Sequence, residues 1–422
     1  MLAGALKDNP LKHLTRDGWL LFVTRFTRLF AYGALSVVLV LYLTSLGLSE
    51  SQTGMLLTLT LVGDTFVSLF LTTWADRIGR RRMLIIGAVL MAGAGLTFAS
   101  TSSLLALTIA GTIGVISPSG NEVGPFLSIE QAALSRVVSN RTRTTVFAWY
   151  TLAGSFATAI GSFCGGLLPS MLRRTAMTPA ASYRTVVILY AVVGILLALF
   201  FTRLSTAVEV RAAGEFPSHA AGKASFGVAR SRDVVLRLSA LFALDSFAGG
   251  FVAQSFAAYW FYLRFGVNPA TLGAIFFGAN VFAGVSALLA SRLATRFGLV
   301  KTMVFTHLPS NVLLIAVPLM PTLPLAIFVL LLRFSISQMD VPTRQSYTMA
   351  VVHPEERSAA AGVTGVARTI GASIAPVFVG FMFARPSLIS LPFFVAGTLK
   401  IVYDLSLYRG FIALRPPEEK IN

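Results

Sequence analysis

The chain has 422 residues, of which 55% are hydrophobic and only 12% charged, with a mean hydropathy of +0.77 and a formal net charge of +17. That balance excludes an ordinary soluble core and describes a polytopic membrane protein. The basic excess does not point to nucleic acid, because the cations cluster beside hydrophobic runs, where anionic inner-leaflet lipids attract them.

Apolar runs of about 20 residues are long enough to span a bilayer. In chain order they fall near 19–44, 51–74, 83–100, 104–134, 144–168 and 184–202, and then near 234–262, 270–290, 302–320, 323–350, 358–384 and 388–407. The reading is an all-α membrane protein of twelve transmembrane helices in two pseudo-symmetric bundles. Residues 1–202 form the N-terminal six-helix bundle, 203–233 a cytoplasmic linker, and 234–422 the C-terminal bundle with a short cytoplasmic tail. The linker is marked by Gly214-Glu215-Phe216-Pro217-Ser218-His219, which cannot span. Met1 to Gly18 is polar and the first run is long enough to span, so no cleavable leader is expected. The single Cys164 lies in an apolar run, which leaves no disulfide partner and no cysteine metal cluster. No metal and no cofactor are expected, and the lack of a Gly-x-x-x-x-Gly-Lys motif argues against ATP-driven pumping.

Between the second and third runs sits Ala75-Asp76-Arg77-Ile78-Gly79-Arg80-Arg81-Arg82. It is too short for a domain and too basic for lipid, and cations in short loops resist translocation, so this loop is placed on the cytoplasmic side. Both termini then lie inside, and the Lys and Arg residues concentrate in the inner segments. The expected location is the plasma (inner) membrane. Asn140-Arg141-Thr142 matches a glycosylation sequon but falls in an inner loop and is read as chance.

An internal repeat supports the halving. Glu130-Gln131, Val137-Val138 and Arg143 return 214 residues later as Arg344-Gln345, Val351-Val352 and Arg357. Ala294-Thr295-Arg296-Phe297-Gly298 with Lys301 echoes the basic loop after the eighth run. Parallel six-helix repeats suggest a transporter with its site at the midplane.

The loop Asp76-Arg77-Ile78-Gly79-Arg80-Arg81 resembles the motif between helices two and three of the major facilitator superfamily, with Thr72 in place of the usual opening Gly and Trp74 where Leu is common. Gly161-Ser162-Phe163-Cys164-Gly165-Gly166 is similar to that family's antiporter-associated Gly-Pro-x-x-Gly-Gly, with Ser162 replacing Pro. The resemblance implies that helices one, four, seven and ten line a central cavity. It implies a cytoplasmic gate of Asp76, Arg77, Gly79 and Arg80, in which Asp76 contacts the start of helix eleven and Arg80 an acid under helix four. Arg136 stands about where that acid belongs, so the second latch is missing or rerouted. Independently of the family, a carboxylate at Asp76 suits a helix N-terminus and Gly79 permits a tight turn.

Ionisable groups at bilayer depth are costly by about 2.5–3.5 kcal/mol each and usually pair or face water. Arg25, Arg28, Asp64, Glu122, Glu130, Asp245, Arg333, Asp340, Arg344 and Arg368 fall within the expected spans, most of them on the four cavity helices. Proton coupling is assigned to Asp245, Glu122 and Glu130. Substrate binding is assigned to Arg25, Arg28, Tyr32, Asn121, Gln254, Asn280, Asp340 and Arg344. Arg25 and Arg28 share a helical face with Tyr32 and either hold an anionic group or neutralise Glu122 and Glu130. Asp340 and Arg344 are spaced for an intrahelical pair, and the repeat suggests a bridge between the halves, Glu130 to Arg344, that forms in one access state and breaks in the other. Ser117-Pro118-Ser119-Gly120-Asn121-Glu122-Val123-Gly124-Pro125 should bend helix four, and Val341-Pro342 repeats the theme in helix ten. Gln254, Asn280 and Asn311 either touch substrate or bond between helices. Isolated His307 gives little support for a metal, and Tyr259 with Trp260 fits an interfacial aromatic belt.

The expected function is a non-enzymatic secondary active transporter, probing one side of the membrane at a time. It moves a small-molecule substrate with a coupling proton, by export of the antiporter kind, and works as a monomer. Symport of an anionic nutrient with protons, or a receptor or scaffold that kept the fold without transport, are the alternatives.

Overall fold

A computed structural model of the chain describes residues 14–120, 125–138, 143–209, 230–412 and 414. The side chain of Asp76 and residues Asn121, Glu122 and 139–142 lie outside that description, so the assignments placed on Asp76, Asn121 and Glu122, and the Asn140 sequon, are not located by it. Among the described residues the secondary structure is entirely helical. In chain order the helices are α1 (Arg16–Ser45), α2 (Glu50–Ile78), α3 (Arg80–Ser100), α4 (Leu104–Ile113), α5 (Phe126–Val137), α6 (Arg143–Arg173), α7 (Pro179–Thr202), α8 (Arg232–Gly250), α9 (Gln254–Phe265), α10 (Pro269–Phe297), α11 (Leu299–Ala316), α12 (Leu323–Phe334), α13 (Asp340–Val351), α14 (Arg357–Phe383) and α15 (Leu391–Phe411). Ten of the described helices are long and apolar enough to cross a membrane, counting α8 with α9, while α4 and α12 are shorter apolar helices.

Three expected spans are broken where the backbone chemistry demands it. The fourth ends at α4 and resumes at α5, because Gly114, Pro118, Gly120 and Pro125 intervene and Gly120 sits at φ +70°. The tenth divides at Ser335–Met339, so Pro342 falls in the first turn of α13, where a missing N–H costs little. The seventh, expected to be continuous, is interrupted at Phe251–Ala253 after the pair Gly249-Gly250. In the repeat, the start of α5 at Phe126 corresponds to the start of α13 at Asp340, and Arg143 of α6 to Arg357 of α14.

By contact the chain divides into two compact units, one comprising 1–48, 63–212 and 267–277, the other 49–62, 213–266 and 278–422. Inside the first, α1 packs on α6 and α3 on α7; inside the second, α8 packs on α14 and α11 on α15, the pairs related by the repeat. The α1–α6 crossing explains the glycine motif of α6. A Cβ on Gly161 would collide with the Phe30 carbonyl oxygen, and one on Gly165 with that of Ala34. Ser162, at the position read as the antiporter proline, is buried and donates to the Thr158 carbonyl at 2.9 Å.

The aromatic-belt expectation for Tyr259 and Trp260 is corrected: both are buried. Trp260 lies 4.6 Å from the Phe393 ring and donates its indole N–H to Ser390 at 3.2 Å, while Tyr259 donates to Glu50 at 2.9 Å. Each polar tip finds a partner inside the second unit, which removes the need for a headgroup.

Candidate functional site

In the first unit, Arg28 of α1 and Glu130 of α5 form a closed ion pair, both fully buried. The guanidinium donates Nη1 to Oε1 at 2.7 Å and Nη2 to Oε2 at 2.8 Å, the two-pronged geometry in which Arg holds a carboxylate most firmly. Tyr150 of α6 adds a hydrogen bond at 2.6 Å and Thr24 another at 3.0 Å, so the carboxylate accepts four bonds. Phe126 faces the Arg28 guanidinium at 4.7 Å. Of the two alternatives for Arg28, neutralisation of an acid is the one found. One turn away, Arg25 is buried with its guanidinium 4.3 Å over the Tyr150 ring. Tyr32 is buried and stacks on Tyr190 with ring centroids 6.1 Å apart.

In the second unit the polarity is reversed. Here the repeat's first helix, α8, carries the acid Asp245, and α13 carries the cation Arg344, at the position matching Glu130. Arg344 Nη1 donates to Asp245 Oδ2 at 2.9 Å and stands 3.5 Å from Asp340 Oδ2, the expected intrahelical pair. Lys400 of α15 donates to the other oxygen of Asp245, Oδ1, at 2.5 Å. His307 of α11 places Nε2 3.9 Å from that same Oδ1 and Nδ1 2.8 Å from Asp404 Oδ1. Asn311 donates to Asp404 Oδ2 at 2.8 Å. All of these side chains are buried. Arg333 and Arg368, both half-buried, face the cluster from α12 and α14, and Arg368 Nε donates to Ser246 at 3.4 Å.

The remaining expected site residues scatter. Gln254 and Asn280 meet each other at 3.0 Å, the helix-to-helix bond that was one of the two alternatives for them. Glu130 pairs with Arg28, and Arg344 with Asp245 and Asp340.

Gly79 adopts φ +117°, and Glu209, beyond α7, serves the turn. Its carboxylate accepts the backbone N–H of Arg80 at 2.7 Å and of Arg81 at 3.1 Å, capping the positive end of α3. Arg80, buried, sends Nη1 to the carbonyls of Ala132 (3.0 Å) and Val208 (3.3 Å), while exposed Arg77 faces the Trp74 ring at 5.7 Å. The second unit repeats the device, with Glu356 accepting the N–H of Arg230 at 2.8 Å and Ser231 at 2.9 Å ahead of α8.

Sequence reading missed Lys400, Asp404 and His307 as a group. Lys400 and Asp404 lay inside the twelfth expected span, and the cost of intramembrane charge would have marked them.

Comparison with known families matches the description Major Facilitator Superfamily over residues 21–376 and 246–422. An uncharacterized membrane protein of Saccharomyces cerevisiae, YJR124C, is 29% identical over 429 residues, covering 96% of each chain. The purine ribonucleoside efflux pump NepI of Salmonella paratyphi A is 29% identical over 255 residues, 57% of this chain and 56% of its own. Among solved structures, a point mutant of the nucleoside transporter NupG superposes with a TM-score of 0.71 at 14% identity, over 94% of this chain and 100% of that one, a likeness of fold.

Proposed function

The chain belongs to the major facilitator superfamily, and from that premise we propose that it is a secondary active transporter exporting a small organic molecule in exchange for protons. Two six-helix bundles, 1–202 and 234–422, alternate access to a site between them, and an ion gradient supplies the free energy. The observation that carries this reading is the pair of buried charge sites of opposite polarity, Arg28–Glu130 and Asp245–Arg344, each beside a broken helix of its repeat. Interrupted helices leave carbonyls that only protein or cavity water satisfies, and buried charge is retained at a cost that function justifies.

Coupling is assigned to Asp245 and its neighbours. Glu130 is held by four donors and has no lone pair to spare, whereas the Asp245 cluster includes a lysine and an imidazole whose proton inventory can change. The direction follows the altered antiporter motif on α6 and the efflux activity in the name of a relative. That relative and the nucleoside transporter of like fold make purine ribonucleosides the first substrates to test.

In the experiment, purified protein is reconstituted into vesicles and uptake of radiolabelled inosine, guanosine and adenosine is followed. Exchange predicts accumulation driven by an acid interior and abolished by a protonophore. Accumulation driven by an acid exterior overturns export in favour of symport. A protein that moves none of the three nucleosides overturns the substrate assignment.

A further inference from the structure

We propose that Nε2 of His307 is a proton-binding site, with Asp404 as the residue that orients the ring and Asp245 as the counter-charge. The proposal deepens the coupling assignment above and rests on that reading only for its role in transport. The contact between Nδ1 and Asp404 Oδ1, at 2.8 Å, must contain a hydrogen. A carboxylate at that distance favours Nδ1–H as donor, since a bare nitrogen would oppose two lone pairs, and the Asn311 N–H already serves the other carboxylate oxygen. In the tautomer that donates Nδ1–H to Asp404, Nε2 is the atom that gains or loses a proton, and it lies 3.9 Å from Asp245 Oδ1.

Asp245 is the carboxylate that the ring faces, and Arg344 and Lys400 already engage its two oxygens within one buried set. The other group facing the ring is Tyr403 of α15, whose ring centroid lies 5.9 Å from the imidazole, and the half-buried Arg333 and Arg368 act on the same Asp245. On α11 itself, Asn311 Nδ2 lies 3.1 Å from Nδ1.

One oxygen receives both signals. Lys400 Nζ and His307 Nε2 address the same Asp245 Oδ1, at 2.5 and 3.9 Å. A proton arriving from water forms the Nε2–H bond, and the new cation competes with Lys400 for that oxygen. Loading therefore loosens the tie between α15 and α8, and release to water on the other side restores it.

The test uses the full chain labelled with ¹⁵N-histidine in lipid nanodiscs. The sequence has four histidines, and replacing His13, His219 and His353 with Gln leaves only His307 in the spectrum without altering the cluster. Nε2 is expected to pass from bare to protonated as the pH is lowered, while Nδ1 stays protonated throughout. Asp404→Asn should lower that midpoint by about one pH unit or more, and Lys400→Met should raise it by a similar amount, because each alters one charge beside the ring. A ring that stays in one protonation state across the range, a change at Nδ1 in place of Nε2, or a midpoint indifferent to Asp404→Asn overturns the site. Gradient-driven uptake with a silent ring sinks the site alone, whereas a titrating ring in a protein whose transport ignores the gradient sinks the proposed function alone.

Discussion

Replacing Glu130 with Gln removes one negative charge from a position where four hydrogen bonds converge and no solvent reaches. The amide keeps one acceptor oxygen, but its NH₂ turns donors toward Arg28 or Tyr150, and the guanidinium of Arg28 becomes a buried cation without its counter-charge. Breaking a buried pair from one side costs about 3–5 kcal/mol, which at about 1.4 kcal/mol per decade is two to three and a half powers of ten in the folding equilibrium. Removing both charges together, as in Arg28→Met with Glu130→Leu, should be neutral or stabilising by about 1–4 kcal/mol, because the desolvation penalty leaves with the ions. Equilibrium unfolding of the purified protein in mixed SDS micelles, followed by tryptophan fluorescence, measures both. The reasoning fails if Glu130→Gln unfolds at nearly the wild-type midpoint. It fails equally if the double variant loses as much stability as the single one, since the pair would then not be a closed unit. A proton-carrying Glu130 would give a different pattern, with the Gln variant folded normally and only coupling lost.

Asp245→Asn leaves Lys400 and Arg344 sharing one neutral amide, and a stability loss of about 3–5 kcal/mol in the same unfolding assay is expected, relieved when Lys400→Met is added. Gly161→Ala drives a methyl group into the Phe30 carbonyl and should cost about 1–3 kcal/mol, whereas Gly365→Ala, with open space around its Cβ position in α14, should gain about 0.5–1 kcal/mol. Thermal melts of the two variants must therefore move in opposite directions. Glu209→Gln weakens the cap on α3 by about 1 kcal/mol, and hydrogen exchange should speed up at Arg80 and Arg81 while the second unit is unchanged.

Most of the helices were legible because lipid imposes a length and an apolar composition that a single sequence displays directly. Charge in a short loop and a repeat of 214 residues were equally visible. The breaks near Pro125 and Pro342 announced themselves through proline, and the one after Gly250 did not, because glycine is tolerated in membrane helices and gives no positive signal. Charge partnership was harder. Asp340 and Arg344 are four apart and could be paired on spacing, but Arg28 and Glu130 are separated by 102 residues and His307 and Asp404 by 97, so only packing brings them together. Glu209 escaped notice for a related reason: it serves backbone N–H groups, which leave no trace in side-chain patterns. Tyr259 and Trp260 misled because an amphipathic ring at a helix end satisfies a headgroup and a buried hydroxyl equally well.

The central claim is that substrate and protons move in exchange through a protein whose coupling group sits at Asp245. The most direct measurement records lumenal pH with a trapped dye while purine ribonucleoside is added outside vesicles holding the purified chain, with no gradient imposed beforehand. The account predicts that the lumen turns alkaline only when nucleoside is present, as inward substrate movement expels protons, and that Asp245→Asn abolishes the change. Nucleoside entering at an undiminished rate with the lumenal pH flat would contradict it.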